Sequence, residues 1–267
     1  MNAIDPAERL LRSLGIRNPK DIDLELIACD AGAFIEYRNL HSCEAEILGT
    51  ANEAIIAVDR SASPERKRFS IAHELGHWHH HRGKKLRCRV EKMIGEGRQK
   101  PEERTANTYA ASLLMPSYLL RPIALDYKRL TFKTIVEIAN LFQTSLQATA
   151  IRLIQSDIWP AVLVCHGQGG REWHAHAPSV PRKWYPRETL EPDTFAFEVV
   201  FGSSRGNSCP MRLDAFDWFD RGEAKYFSIK EETTRIETSK SLSILTLTEA
   251  DMMDPDLGVR ELQAMHR

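Results

Sequence analysis

Residues 64–77 read PERKRFSIAHELGH, and this stretch places two histidines four positions apart, His73 and His77. Residues four apart lie on the same face of an α-helix, one turn from each other. Ser63 can cap the start of such a helix, and Pro64 is tolerated at its first position. The stretch therefore predicts a helix whose two imidazoles reach one metal ion.

The residue between these histidines in the H-E-x-x-H pattern is Glu74. Zn²⁺ binds neutral imidazole readily, and a catalytic zinc site uses three protein ligands and keeps one position open for water. Glu74 can reach that position without binding the metal and take a proton from the water there. The alternative is a helix with hydrogen-bonded core histidines and no metal.

The pattern beyond His77 excludes one class of zinc enzyme. A metzincin continues H-E-x-x-H-x-x-G-x-x-H, but this chain has His80 and Gly83 at the glycine and final histidine positions. His81 lies one turn beyond His77, but about 12 Å along the helix axis from His73. That distance is too long for the two side chains to share an ion.

A second helix is predicted over residues 101–116, which begin and end with proline. Its apolar stripe includes Ala106 and Tyr109, and Glu103 lies on the edge of that stripe. A carboxylate on a buried edge needs a partner, and a metal ion is one. Glu102, the nearest rival, is rotated by about 100° from that edge.

Together, the two segments resemble the ImmA/IrrE family of zinc metallopeptidases. The family's pattern R-x-R-F-x-x-A-H-E-x-G-H matches residues 66–77, and E-x-x-A-N-x-(aromatic)-A-x-x-L-L-M-P matches residues 103–116. The resemblance covers roughly residues 20–155. It implies zinc ligation by His73, His77 and Glu103, with Glu74 as the catalytic base.

Two further residues near this site carry hypotheses. Asn107 lies one turn past Glu103 on the same face, where it can orient a metal ligand. Cys88 lies between the two ligand-bearing segments, among basic residues that favour its thiolate. Two readings of Cys88 remain open: an inhibitory fourth zinc ligand, or an ordinary loop thiol.

Residues 117–156 form a predicted helical subdomain, and residues 131–154 have the layout of a helix-turn-helix. A DNA-reading helix places basic or amide side chains at its start. Here the start offers Ser145, Gln147 and Thr149, with Arg152 further along, which is little charge for phosphate contacts. Structural packing is therefore favoured over direct DNA contact.

From residue 157 onward the sequence pattern changes to apolar runs of the length of a strand, separated by clusters of Gly, Pro and Asn. The predicted strands cover residues 161–165, 172–175, 195–201, 225–229, 233–238 and 241–247. They indicate a β-rich domain of roughly 100 residues. Some ImmA/IrrE proteins carry a GAF-like sensor domain at this place, so a sensor or regulatory domain over residues 157–267 is the expectation.

The composition suits an intracellular enzyme. The formal net charge of the 267-residue chain is −1, which gives no overall attraction to nucleic acid or membrane. The first residues lack the basic and apolar regions of a signal peptide, and no apolar run approaches the ~20 residues that span a bilayer. Five cysteines without a C-x-x-C pair favour reduced thiols, and hence a cytoplasmic location.

The sequence thus predicts an α+β protein. Residues 1–156 form a zincin-like helical peptidase core with a small sheet, and residues 157–267 form a β-rich, GAF-like domain. The family resemblance implies that the substrate is a regulatory protein, a DNA-bound transcriptional repressor. Its cleavage would induce stress-response, mobile-element or phage-defence genes. The alternative is a non-proteolytic DNA-binding regulator with a structural metal site.

Overall fold

The computed structural model describes residues 5–41, 43–82, 100–202, 206, 208–256 and 258. The chain divides into two compact units. The first comprises residues 1–126 and 137–149, and the second comprises residues 127–136 and 150–267. The α+β fold class is confirmed, with a helical N-terminal part and a β-rich C-terminal part. The domain boundaries expected from the sequence, 1–156 and 157–267, stay predictions.

The first unit contains helices around a three-stranded sheet. The helices that begin in it are α1 (Pro6–Ser13), α2 (Leu24–Asp30), α3 (Pro64–His81), α4 (Pro101–Leu114), α5 (Ser117–Leu125) and α7 (Leu146–Gln155). Its strands are β1 (Ala33–Arg38), β2 (Ala45–Gly49) and β3 (Ala54–Asp59). β3 lies in the middle, parallel to β1 and antiparallel to β2.

Local chemistry fixes where these elements begin. Asp23 caps α2 by accepting hydrogen bonds from two backbone N–H groups. Gly32, with a φ of 75°, makes the turn from α2 into β1 in a backbone conformation that favours glycine. The predicted cap of α3 is also present, because the Ser63 hydroxyl accepts from the backbone N–H of Arg66 at 3.3 Å.

α3 is held against the rest of the first unit along much of its length. Its residues 70–78 are all buried. The Trp78 indole donates to the carbonyl of Ala31 at 2.8 Å, and Arg68 donates to the carbonyl of Ile22 at 3.3 Å. These bonds tie both the start and the end of α3 to the segment around α2.

The second unit is built on a five-stranded antiparallel sheet in the order β5-β4-β8-β7-β6. Its strands are β4 (Ala161–Gly167), β5 (Gly170–His176), β6 (Met211–Asp214), β7 (Ser228–Glu237) and β8 (Lys240–Leu247). The central strand positions are strongly buried, and every residue of β4 is. This confirms a β-rich C-terminal region, while its GAF-like character stays a prediction.

One predicted strand is wrong. Residues 195–201 form no strand; Phe195–Val200 is a short helix, α8. Its first turn is satisfied by side chains, since the Thr194 hydroxyl accepts from Phe197 N at 3.2 Å and the Glu231 carboxylate accepts from Ala196 N at 3.0 Å. A short apolar run has no periodicity that would distinguish a helix from a strand. Here the hydrogen bonds to the first turn stabilise the helix.

Two smaller errors occur in the same unit. Residues 222–226 form a 3₁₀ helix, so β7 begins only at Ser228. β6 is a strand that the sequence does not predict.

Helices α6 (Phe132–Phe142) and α7 are joined at residues 143–145, near the break expected from the sequence. The division of the chain into two compact units passes through both helices. No helix in the described ranges combines the length and the apolar character needed to cross a membrane.

α3 and α4 pack closely against each other at Gly76. A Cβ atom at Gly76 would lie 2.9 Å from Ala106 Cα and 3.0 Å from the Ala106 carbonyl oxygen. Both are backbone atoms, which cannot move without shifting the helix. Only glycine therefore permits this approach of the two helices.

We predict that Gly76→Ala destabilises the protein by about 1–3 kcal/mol, because the added methyl group forces α3 and α4 apart. Gly169→Ala is the matched control, since a Cβ at Gly169 meets nothing within 4 Å. Thermal unfolding followed by circular dichroism measures both. Equal melting temperatures for the two variants would show that the helices do not depend on this contact.

Candidate metal centre

His73 and His77 lie one turn apart on α3, as the sequence predicts. Both residues are buried, each with 1% of its surface exposed. Their Nε2 atoms are 3.1 Å apart. The rings meet edge to face, with centroids 4.7 Å apart. Both imidazoles therefore direct the same nitrogen to one point beside the helix.

Glu103 approaches that point from the first turn of α4. Its Oε2 lies 3.2 Å from His73 Nε2, and its Oε1 lies 3.5 Å from His77 Nε2. The carboxylate sits near a helix N-terminus, where the peptide dipoles favour negative charge. Close packing of Gly76 on Ala106, one turn further along each helix, brings it within reach.

The three side chains fit a single four-coordinate cation. One ligand atom from each of His73, His77 and Glu103 lies within 4.8 Å of the others, and the described residues contain no other such group. Bonds of about 2.0–2.1 Å in a tetrahedron separate neighbouring ligand atoms by about 3.3–3.4 Å. The 3.1 Å between the two Nε2 atoms and the 3.2 Å from His73 Nε2 to Glu103 Oε2 are close to that value, while the 3.5 Å from His77 Nε2 is to the other carboxylate oxygen, Oε1.

The opposite nitrogens of both imidazoles also have partners. Asn107 Oδ1 lies 2.9 Å from His73 Nδ1, so it accepts the Nδ1–H and leaves the Nε2 lone pair for a metal. His81 Nδ1 lies 3.4 Å from His77 Nδ1. Asn107 thus fixes the tautomer and the ring orientation of His73. His81 contacts His77 at the ring nitrogen that faces away from Glu103, and it is not part of the three-residue group.

Glu74 is fully buried beside this group. Neither of its carboxylate oxygens has a hydrogen-bond partner among the described residues. Burial, followed by the charges of Glu103 and Glu46, raises the pKa of Glu74 to about 8. A carboxyl group with such a pKa can both accept and release a proton near neutral pH.

The other sequence hypotheses have different outcomes. Glu102, the rival of Glu103, is exposed and lies outside the three-residue group. Cys88 lies outside the described residues. No sequence pattern connects Glu46 with Glu74, because the two carboxyl groups come close only when β2 packs beside α3.

Comparisons with known proteins identify a family and a similar fold. The family model Peptidase_M78, described as the IrrE N-terminal-like domain, matches residues 21–154, half of the chain. No curated protein matches the chain significantly. A solved structure described as a Mycobacterium tuberculosis transcriptional regulator is similar with a TM-score of 0.60 and 13% sequence identity. The match covers 90% of this chain and 74% of that chain, and at this identity it shows similarity of fold alone.

We predict that Asn107→Leu lowers the affinity for a divalent metal ion about 10–100-fold, because His73 loses the acceptor that holds its Nδ1–H. Leucine keeps a similar size at this half-buried position, so the fold is expected to remain. Competition with a chromophoric chelator measures the affinity. An unchanged dissociation constant would show that Asn107 does not support the metal centre.

Proposed function

The chain belongs to the Peptidase_M78 family, that of the IrrE N-terminal-like domain, and from this premise we propose that it is a zinc-dependent endopeptidase acting on a regulatory protein. The observation that carries the proposal is the convergence of two imidazoles and one carboxylate beside a buried glutamate. Their ligand atoms lie within 4.8 Å of one another, and Glu74 follows His73 directly on α3.

We assign His73, His77 and Glu103 as the zinc ligands. Two imidazoles and one carboxylate are a common set in catalytic zinc sites, which leave a fourth position open. Buried neutral imidazoles suit zinc better than magnesium or calcium, which prefer oxygen ligands. When bound here, zinc would act as a Lewis acid toward water and toward a peptide carbonyl.

Glu74 is assigned as general base and then general acid. Its carboxylate takes a proton from the water that attacks the peptide carbonyl. The same carboxyl group then gives that proton to the leaving amine nitrogen, so the hydroxyl ends on the new C-terminus and the proton on the new N-terminus. The absence of other partners for Glu74 within the described residues leaves both of its oxygens available for these transfers.

The substrate is proposed to be a DNA-bound transcriptional repressor, and its cleavage to induce stress-response, mobile-element or phage-defence genes. Family membership supports a regulatory substrate. A zincin centre on a chain of near-zero net charge, with little basic character at residues 131–154, favours protein over nucleic acid as the direct partner. The β-rich residues 157–267 are proposed to regulate the peptidase, which operates in the cytoplasm.

We predict that Glu74→Gln abolishes peptide-bond cleavage while the metal stays bound, because glutamine keeps the shape but cannot take a proton. Loss of a general base costs about 10²–10⁴-fold in rate. Glu102→Gln is the matched control, an exposed carboxylate beside a proposed ligand. Each zinc-loaded protein is incubated with an extract of its native cells, and new protein N-termini are identified by mass spectrometry.

The expected result is one or a few new N-termini, in a repressor, with the wild type and with Glu102→Gln but not with Glu74→Gln. Cleavage by Glu74→Gln at the wild-type rate would remove Glu74 as the base. The absence of any new N-terminus with the wild type would favour the alternative, a DNA-binding regulator with a structural metal site.

A further inference from the structure

One turn before Glu74, α3 carries a buried hydroxyl for which the proposed chemistry gives no role. Ser70 is 1% exposed, and its Oγ has no hydrogen-bond partner among the described residues. Both oxygens of Glu74 share that condition. A buried polar group without a partner destabilises a protein, so two of them at neighbouring positions need an explanation.

Ser70 and Glu74 are four residues apart and therefore lie on the same face of α3, with Cβ atoms about 5–6 Å apart. Side chains on a helix lean toward its N-terminus, so the Glu74 carboxylate extends back toward the turn that carries Ser70. His73 and His77 flank the same face. Ser70 thus lies on the side of the helix that carries the metal centre.

The hydroxyl of Ser70 does not use the partner that serines in helices usually find. In helices, serine commonly donates to the carbonyl four residues earlier, here that of Arg66, and this bond is not made. The chemistry of the two groups is complementary, because a serine hydroxyl can donate and an ionised carboxylate only accepts. The next residue of the same row, Arg66, also has a buried nitrogen without a partner, Nη2.

We propose that Ser70 is a positioning residue for Glu74, acting through one buried water. Ser70 Oγ–H donates to the water, and the water donates to one oxygen of Glu74. Ser70 and Glu74 provide the two partners that a buried water needs, and Arg66, whose Nε donates to Glu44, is not assigned to it. One Glu74 oxygen is then held in place, and the other faces the reacting water. The inference rests on the proposed peptidase function.

Steady-state kinetics on a peptide that spans the identified cleavage site tests the proposal. Ser70→Ala should lower kcat about 10–100-fold with little change in KM, because loss of the water removes a hydrogen bond from the Glu74 carboxylate. Ser70→Thr keeps a hydroxyl and should retain most of the wild-type kcat. Metal content should stay at the wild-type level in both variants.

Ser112→Ala is the matched control, because Ser112 is a buried serine of α4 whose hydroxyl bonds Asp5 at 3.1 Å. It should lower the melting temperature without lowering kcat. Ser70→Ala should show the opposite pattern, since removing a hydroxyl to which none of the described residues bonds breaks no known contact of the fold. A crystal structure of the zinc-loaded wild type should show a water within hydrogen-bond distance of both Ser70 Oγ and Glu74, and Ser70→Ala should lack it.

A wild-type kcat in Ser70→Ala, or a wild-type crystal structure without that water, would overturn the positioning role. Activity in the wild type and its loss in Glu74→Gln would then leave the peptidase function standing. Failure of the wild type to cleave any protein would instead defeat the proposed function, and the crystal structure would still decide whether Ser70 and Glu74 are bridged.

Discussion

The close approach of α3 and α4 at Gly76 is the constraint on which the rest of the candidate site depends. In the proposed centre, His73 and His77 would supply two ligand atoms from one helix, and a third would have to come from another element. Glu103 reaches them only because α4 packs its backbone at Ala106 directly onto a residue without a side chain. A methyl group at that contact would separate the carboxylate from both imidazoles.

Burial gives the same site its electrostatic character. A carboxyl group without hydrogen-bond partners is costly to ionise in the interior, and the raised pKa of Glu74 reflects that cost. A divalent cation at His73, His77 and Glu103 would offset it, because opposite charge nearby favours the ionised carboxylate. The chain therefore places Glu74, the proposed general base, where its proton affinity would depend on a bound metal ion and on the neighbouring charged groups.

The parts of the structure that the sequence predicts correctly depend on residues close to one another in the chain. Two histidines four apart, a serine before a proline and a carboxylate on the edge of an apolar stripe sufficed for α3, α4 and the three-residue group. The α+β class follows from the periodicity of the apolar residues and from the change to strand-length apolar runs near residue 157. Glu103 could be preferred to Glu102 because helix geometry alone separates them.

What sequence reasoning missed depends on contacts between distant residues. The first turn of Phe195–Val200 is capped by the neighbouring Thr194, a local signal, and by Glu231, 35 residues away, which no local pattern reveals. The link between Glu46 and Glu74 requires β2 to lie beside α3, and the burial of the Ser70 hydroxyl requires the packed core.

The most direct test of the account is a crystal structure of the zinc-loaded protein with anomalous data at the zinc edge. We predict one zinc peak, about 2.0–2.2 Å from His73 Nε2, His77 Nε2 and one Glu103 oxygen. A peak elsewhere, or Glu103 turned away from the metal, would contradict it.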